Sequence, residues 1–164
     1  MQIIKFKHTH IPQSYRHEIA DFLHKHLQQF GDPKEDILLA LDYVSDTSAG
    51  KGGCLLVAQE NDEIVGAVVV NKTGMSRYIP ENILVYIATH DQYRGKGIGK
   101  KLMQETIKVC DGDIALHCEP DNPARKLYEK LGFTSKYLEM RLTNNKNVDS
   151  NTQQKEAEGK FQLS

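Results

Sequence analysis

Apolar positions along this chain change their period several times, and each change predicts an element. Residues 1–7 set Ile3, Lys5 and Lys7 imperfectly against Ile4 and Phe6, which predicts a partly exposed first strand. Tyr15, Ile19, Phe22, Leu23, Leu27 and Phe30 then recur at helical spacing until Gly31-Asp32-Pro33 stops the run. Ile37, Leu38, Leu41 and Val44 predict a second, shorter helix, and Ser45 to Gly53 a polar loop. Residues 54–58 and 64–70 are near-continuous aliphatic runs joined by Glu60-Asn61-Asp62, which predicts a β-hairpin.

The second half alternates strand and helix. A strand is predicted from Glu81 to Thr89, a helix from Gly97 to Cys110, and a strand from Asp113 to Cys118. Glu119-Pro120-Asp121-Asn122-Pro123 breaks the chain before a helix over 124–131, which Gly132 closes; a last strand is predicted from Phe133 through Met140. The helix over 97–110 carries adjoining stripes, Ile98/Leu102/Val109 and Met103/Ile107/Cys110, so one broad face meets a sheet. Together these elements predict an α/β (α+β) domain with a mixed, mostly antiparallel sheet and helices on both faces. From Thr143 onward Asn, Gln, Lys and Glu dominate, so residues 1–142 are expected to form the domain and 143–164 a disordered tail.

Composition narrows the function classes. A chain of 164 residues suits one domain with a sizeable core. A formal net charge of −1 gives no global attraction to nucleic acid or membrane. No apolar run approaches the roughly 18 residues of a membrane span, and no basic-then-apolar leader opens the sequence. Cys54, Cys110 and Cys118 are odd in number and lack Cys-x-x-Cys spacing, which predicts reduced, buried thiols and a cytoplasmic location. His8, His10, His17, His24 and His26 have no Cys or carboxylate pattern to complete a metal site, so surface histidines and no metal are expected.

One stretch carries chemistry. Gln92-Tyr93-Arg94-Gly95-Lys96-Gly97-Ile98-Gly99-Lys100-Lys101 directly follows the apolar run Ile83 to Ala88. A buried strand, a short turn and three alternate glycines opening a helix form a nest of backbone N–H groups. Helix N-termini favour anions, and glycine lets an anion approach the backbone closely. Arg94, Lys96, Lys100 and Lys101 add positive charge, so a diphosphate is the expected occupant. The nucleotide P-loop does not match, because Lys100 is followed by Lys101 rather than Ser or Thr. The dinucleotide fingerprint does not match either, since these glycines alternate and their strand is not the first.

Arg94-x-x-Gly97-x-Gly99, followed by Asn122-Pro-Ala-x-x-Leu-Tyr128-Glu-Lys-Leu-Gly132-Phe133, resembles the GNAT superfamily of acyl-CoA-dependent N-acetyltransferases over roughly residues 53 to 142. The resemblance implies a central sheet of six or seven strands flanked by about four helices. It implies acetyl-CoA as co-substrate, its pantetheine arm lying along the backbone of Ile87, Ala88 and Thr89 like an added strand. Arg94, Gly95, Lys96, Gly97, Ile98, Gly99 and Lys100 would hold the diphosphate, and a strand N–H would stabilise the oxyanion.

Tyr128 matches the general acid of that family, and its spacing with Ala124, Leu127 and Leu131 turns it inward; a core tyrosine is the plainer alternative. Asn122 is expected to bond the pantetheine arm, although the family spacing falls on Asp121. For the general base, Glu81 shares a strand face with Ile83, where histone-type members carry a glutamate; His117, Glu119 and bulk water are alternatives. Arg125 could reach a phosphate, whereas Lys126 and Lys130 read as exposed helix positions, and Cys118 lacks an activating partner.

The expected activity is acetyl transfer to a primary amine of a small molecule or peptide by direct attack. The alternative is a non-catalytic acyl-CoA-binding module. Asp32, Glu35, Asp36, Asp42 and Asp46 lean acidic, which would suit a cationic acceptor. A monomer or homodimer without nucleic-acid or membrane partners is expected.

Overall fold

Five strands and four helices form in the computed structural model, which describes residues 1–145. In chain order they are β1 (Gln2–Lys7), α1 (Gln13–Leu27), α2 (Lys34–Ser45), β2 (Gly53–Glu60), β3 (Glu63–Lys72), β4 (Asn82–Thr89), α3 (Ile98–Val109), β5 (Ile114–Leu116) and α4 (Arg125–Lys130). The sheet runs β1-β2-β3-β4-β5, antiparallel at its first three junctions and parallel between β4 and β5. Met1–Thr134 make one compact unit; in the other, Ser135–Ser164, the described residues form no helix or strand.

Strand alternation divides the core into two layers, one on each sheet face. Leu55 and Val57 of β2 pack with Ile19, Leu23, Ile37 and Leu41 of α1 and α2. Their neighbours Cys54, Leu56 and Ala58 pack with Ile98, Leu102, Met103 and Tyr128 of α3 and α4. Truncating a fully buried side chain such as Leu102 to Ala costs about 2–5 kcal/mol in cores of this kind. Gly66 is the close-approach point: a Cβ there would lie 2.7 Å from Leu102 Cδ1 and 3.0 Å from Ile98 Cγ2.

Several expectations are corrected in detail. The turn between β2 and β3 is two residues, Asn61 and Asp62, both at positive φ (50° and 62°), since Glu60 already pairs with Glu63. That left-handed pair matches the twist of a tight hairpin. The first helix ends at Leu27 rather than Phe30, where Gln28 turns the chain at φ 55°, ψ −129° into a 3-10 turn over Gln28–Phe30. Among the described residues the sheet has five strands, not six or seven, and the strand predicted from Phe133 through Met140 does not form. Tyr137, Leu138, Met140 and Leu142 are 80–90% exposed, and an alternating pattern becomes a strand only when a neighbour takes its backbone bonds. The predicted tail over 143–164 lies, beyond residue 145, outside the described residues.

Candidate functional site

The site begins where β4 loses a neighbour. β5 pairs with β4 only at Asn82, Ile83 and Leu84, so beyond Leu84 the two strands part. On its other side β4 stays paired with β3 to Thr89, with a bulge at Val85: Val69 pairs with Tyr86, and Val70 with Leu84. His90 N–H donates to the Val65 carbonyl at 2.9 Å. By strand alternation Ala88 and Tyr86 then turn their backbone groups toward β3, and Ile87 and Thr89 turn theirs to the open edge. Ile87, Ala88 and Thr89 all line a cavity of about 560 Å³ that occupies this gap.

The glycine turn closes one end of the cavity. Gly95 and Gly97 sit at φ 77° and 79°, a left-handed conformation that favours glycine. Nothing lies within 4 Å of where a Cβ would stand at either. Lys101 N–H is the first to bond back, to the Gly97 carbonyl at 3.0 Å. The N–H groups of Ile98, Gly99 and Lys100 therefore start α3 without a helical partner. Open space over the glycines, free N–H donors and the positive end of a twelve-residue helix fit a diphosphate. Lys100 lines the cavity beside them, whereas Lys96 does not; its Nζ stands 4.8 Å over the Tyr93 ring.

Arg94 lines the cavity and also makes a structural tie. Its Nη2 donates to the His26 carbonyl at 2.8 Å and lies 3.0 Å from Asp91 Oδ1, so the guanidinium ties the turn to the end of α1. A stack of rings reinforces that tie: Phe22 to His26 at 4.7 Å, His26 to His90 at 4.4 Å, and His90 edge-on to Tyr93 at 5.4 Å. The buried His26 Nδ1 accepts from Asp91 N–H at 3.3 Å and lies 3.1 Å from Asp91 Oδ1; the His26 side chain, with Arg94 beside it, holds the Asp91 carboxyl below its ordinary range. His26, Leu27, Gln28, Gln29 and Phe30 thus form a wall of the cavity that sequence reasoning missed. The only local signal was the Gly31-Asp32-Pro33 stop, which announces a chain reversal without saying what the reversed chain faces.

Tyr128 lines the cavity from α4, together with Asn122, Pro123, Ala124 and Leu127. It is 7% exposed and its ring lies 5.9 Å from Phe133. Burial, with the Cys118 sulfur adding to it, pushes the phenol up to about 12, so it remains a donor at any ordinary pH. Asn122 Oδ1 accepts from Ala124 N–H at 2.9 Å, which organises the entry to α4. Of the two positions left open by the spacing, Asn122 borders the cavity and Asp121 does not.

Glu81 is not brought to this cavity. Its carboxylate accepts from Asp113 N–H at 2.7 Å and Arg77 N–H at 3.2 Å, and these bonds hold it below the ordinary carboxylate range. Glu81 precedes β4, which begins at Asn82, so its parity with Ile83 did not bring it to the cavity. His117, Glu119 and Arg125 also lie outside the lining, and Arg125 pairs with Glu129 at 2.8 Å. Three of the five acidic residues around α2 are engaged elsewhere as well. Asp32 accepts from Tyr86 Oη at 2.6 Å, Asp42 pairs with Arg16 at 3.0 Å, and Asp46 with Lys51 at 3.4 Å. The lining residues include no Asp or Glu, and its fixed cations are Arg94 and Lys100.

Comparison with known proteins adds four findings. Residues 51–135 match the family described as acetyltransferase (GNAT) domain. The N-alpha-acetyltransferase 30 of Schizosaccharomyces pombe is 34% identical over 82 residues, 47% of this chain and 55% of that protein, so the chain spans about half the length of this relative. Among solved structures, the ribosomal-protein-alanine N-acetyltransferase of Brucella melitensis superposes with TM-score 0.58 at 21% identity, covering 87% of this chain and 98% of that one. An aminoglycoside N-acetyltransferase determined with CoA superposes with TM-score 0.62 at 16% identity, covering 88% and 94%. At these identities the structural likeness speaks for the fold alone.

Proposed function

The chain belongs to the acetyltransferase (GNAT) domain family, and on that premise we propose that it transfers acetyl from acetyl-CoA to a neutral primary amine by direct attack. One observation carries the reading: a single cavity joins the open edge of β4, the N–H cradle at 95–100 and the buried Tyr128. Acetyl-CoA supplies the activated thioester. The backbone groups of Ile87 and Thr89 bond its amide-bearing arm as a further strand would, and the cradle with Lys100 neutralises its diphosphate. The edge N–H groups face negative charge that builds on the carbonyl oxygen during attack. Tyr128 donates its phenolic proton toward the departing sulfur. The burial that raises the phenol also raises a thiolate set beside it, so donor and acceptor stay close enough for transfer.

The lining bears on the acceptor. With no Asp or Glu among the lining residues, the cavity best suits an amine that is already partly neutral near pH 7. An α-amino group, with pKa about 7.7–8.0, offers a few hundred times more free base near neutral pH than a lysine side chain at about 10.4. We therefore place the α-amine of a peptide ahead of strongly basic amines. The similarity to an N-alpha-acetyltransferase supports this choice.

The test is release of CoA thiol from acetyl-CoA across a panel of amines. The panel holds peptides with free N-termini, the same peptides N-blocked but carrying lysine, a polyamine and an aminoglycoside. Turnover concentrated on the free α-amines is expected. Saturable CoA binding with no turnover on any amine would instead identify an acyl-CoA-binding module.

A further inference from the structure

We propose that Cys54 and Cys110 form a modification site, a dithiol that a hydroperoxide converts into an intramolecular disulfide joining β2 to the end of α3. The two sulfurs lie 3.7 Å apart although their residues are 56 positions apart in the chain. Cys54 is 2% exposed in the core layer beneath α3 and α4, whereas Cys110 caps α3 and is partly exposed, so a small oxidant reaches the second and not the first. Closing to an S–S bond of about 2.05 Å requires less than about 2 Å of combined movement. Cys110 lies just beyond the helix and is the partner able to make it.

The surroundings assign each thiol a part. Lys7 Nζ donates to the Val109 carbonyl at 2.7 Å and to Asp111 Oδ2 at 2.9 Å, which sets a cation against the residues on both sides of Cys110. The hydrogen bond from Cys54 draws the Cys110 thiol below its ordinary value, Lys7 adds to this, and burial opposes it. The same hydrogen bond and burial push Cys54 up. Cys110 is therefore the attacking thiolate and Cys54 the thiol that follows.

In the first step the Cys110 thiolate attacks the terminal oxygen of the hydroperoxide. An S–O bond forms, the O–O bond breaks, and the alkoxide takes a proton from water and leaves as the alcohol (water, when the oxidant is hydrogen peroxide). In the second step Cys54 gives up its proton and attacks the sulfenic sulfur. The S–S bond forms, the S–O bond breaks, and hydroxide combines with that proton as water. Two thiols lose two electrons, and one hydroperoxide is reduced to an alcohol and water. Cys118 supplies an internal control, since it has no sulfur partner among the described residues, its Sγ donating to the Glu119 carbonyl at 3.4 Å, and burial pushes its thiol up.

The experiment exposes the full, folded chain to hydrogen peroxide near neutral pH, quenches with an alkylating reagent and maps peptides without reduction. Expected are loss of two of the three alkylatable thiols, a mass decrease of two hydrogen atoms, and a peptide linking Cys54 to Cys110 that dithiothreitol dissolves. Cys54→Ala should leave a Cys110 sulfenic acid that dimedone traps, and Cys110→Ser should leave Cys54 unoxidised. Should the Cys54 variant fail to fold, the wild-type map with Cys110→Ser decides alone. Three thiols surviving a dose that oxidises free cysteine would overturn the proposal. So would Cys110 gaining two oxygen atoms without the linked peptide, or links made through Cys118 or a second chain.

Discussion

At the scale of single residues, the proposed reaction turns on Tyr128. Its ring is buried against Phe133 and the residue lines the cavity. Tyr128→Phe keeps the ring and removes only the proton, so kcat should fall roughly 100- to 10,000-fold, the usual span for a general acid. The dissociation constant for acetyl-CoA should stay within about threefold, since the phenol is not part of the cradle. An unchanged kcat would return Tyr128 to the core. Because burial pushes the phenol up to about 12, it keeps its proton across the assay range and imposes no descending limb there. The rising limb of kcat/KM should instead follow the acceptor's own pKa and move with it from amine to amine; a limb fixed near pH 4–5 for every amine would mean that a carboxylate acts as base. Tyr128 was legible because helical spacing with Ala124, Leu127 and Leu131 says which way it points. Glu81 misled because a sequence shows which strand face a residue is on, not that two backbone N–H groups have already claimed its carboxylate.

At the scale of elements, the proposed binding unit is the strand–turn–helix from β4 into α3, and two kinds of glycine, Gly97 in its turn and Gly66 on the neighbouring β3, separate shape from packing. Ala at Gly97 would meet no neighbour but would have to hold φ 79°, which costs about 1–2 kcal/mol. With open space around it the turn can relax when the cradle is empty, so the strain falls on the bound state: Gly97→Ala should weaken CoA about 5- to 30-fold while the melting temperature of the free chain changes little, read by calorimetry beside a thermal melt. Gly66→Ala should do the reverse. Its Cβ would press on Leu102 and Ile98, and overpacking of this sort costs about 1–3 kcal/mol of stability. The turn itself could be read from the sequence, since only glycine serves alternate left-handed positions before a helix. The parting of β4 from β5 could not, because it depends on β5 being only three residues long. The wall at 26–30 was equally hidden: the positive φ of Gln28 has no signature in a residue that rarely adopts it.

For the whole molecule, acid should loosen the domain through carboxylates that join distant segments. Glu105 on α3 accepts from Lys5 of β1 at 2.6 Å and from Lys108 at 2.9 Å, which lowers its carboxyl from 4.5 to about 2. Glu81 and Asp111 are lowered as well, by backbone N–H groups in the first case and by Lys7 in the second. Groups depressed in the folded state contribute stability that is complete above their unfolded values and disappears as pH falls through the folded ones. Melting temperature should thus hold steady above about pH 5 and drop between about pH 4.5 and 2, less steeply in Glu105→Gln. The layered architecture was readable from hydrophobic period, because each sheet face takes every second residue. The last predicted strand failed because period alone cannot supply a hydrogen-bonding neighbour. The proposed CoA site rests on the cradle of N–H groups opening onto an unpaired strand edge. Isothermal titration of the folded chain with CoA reads that directly: saturable heat at one site per chain is predicted, and no heat from a sample that still melts cooperatively would contradict it.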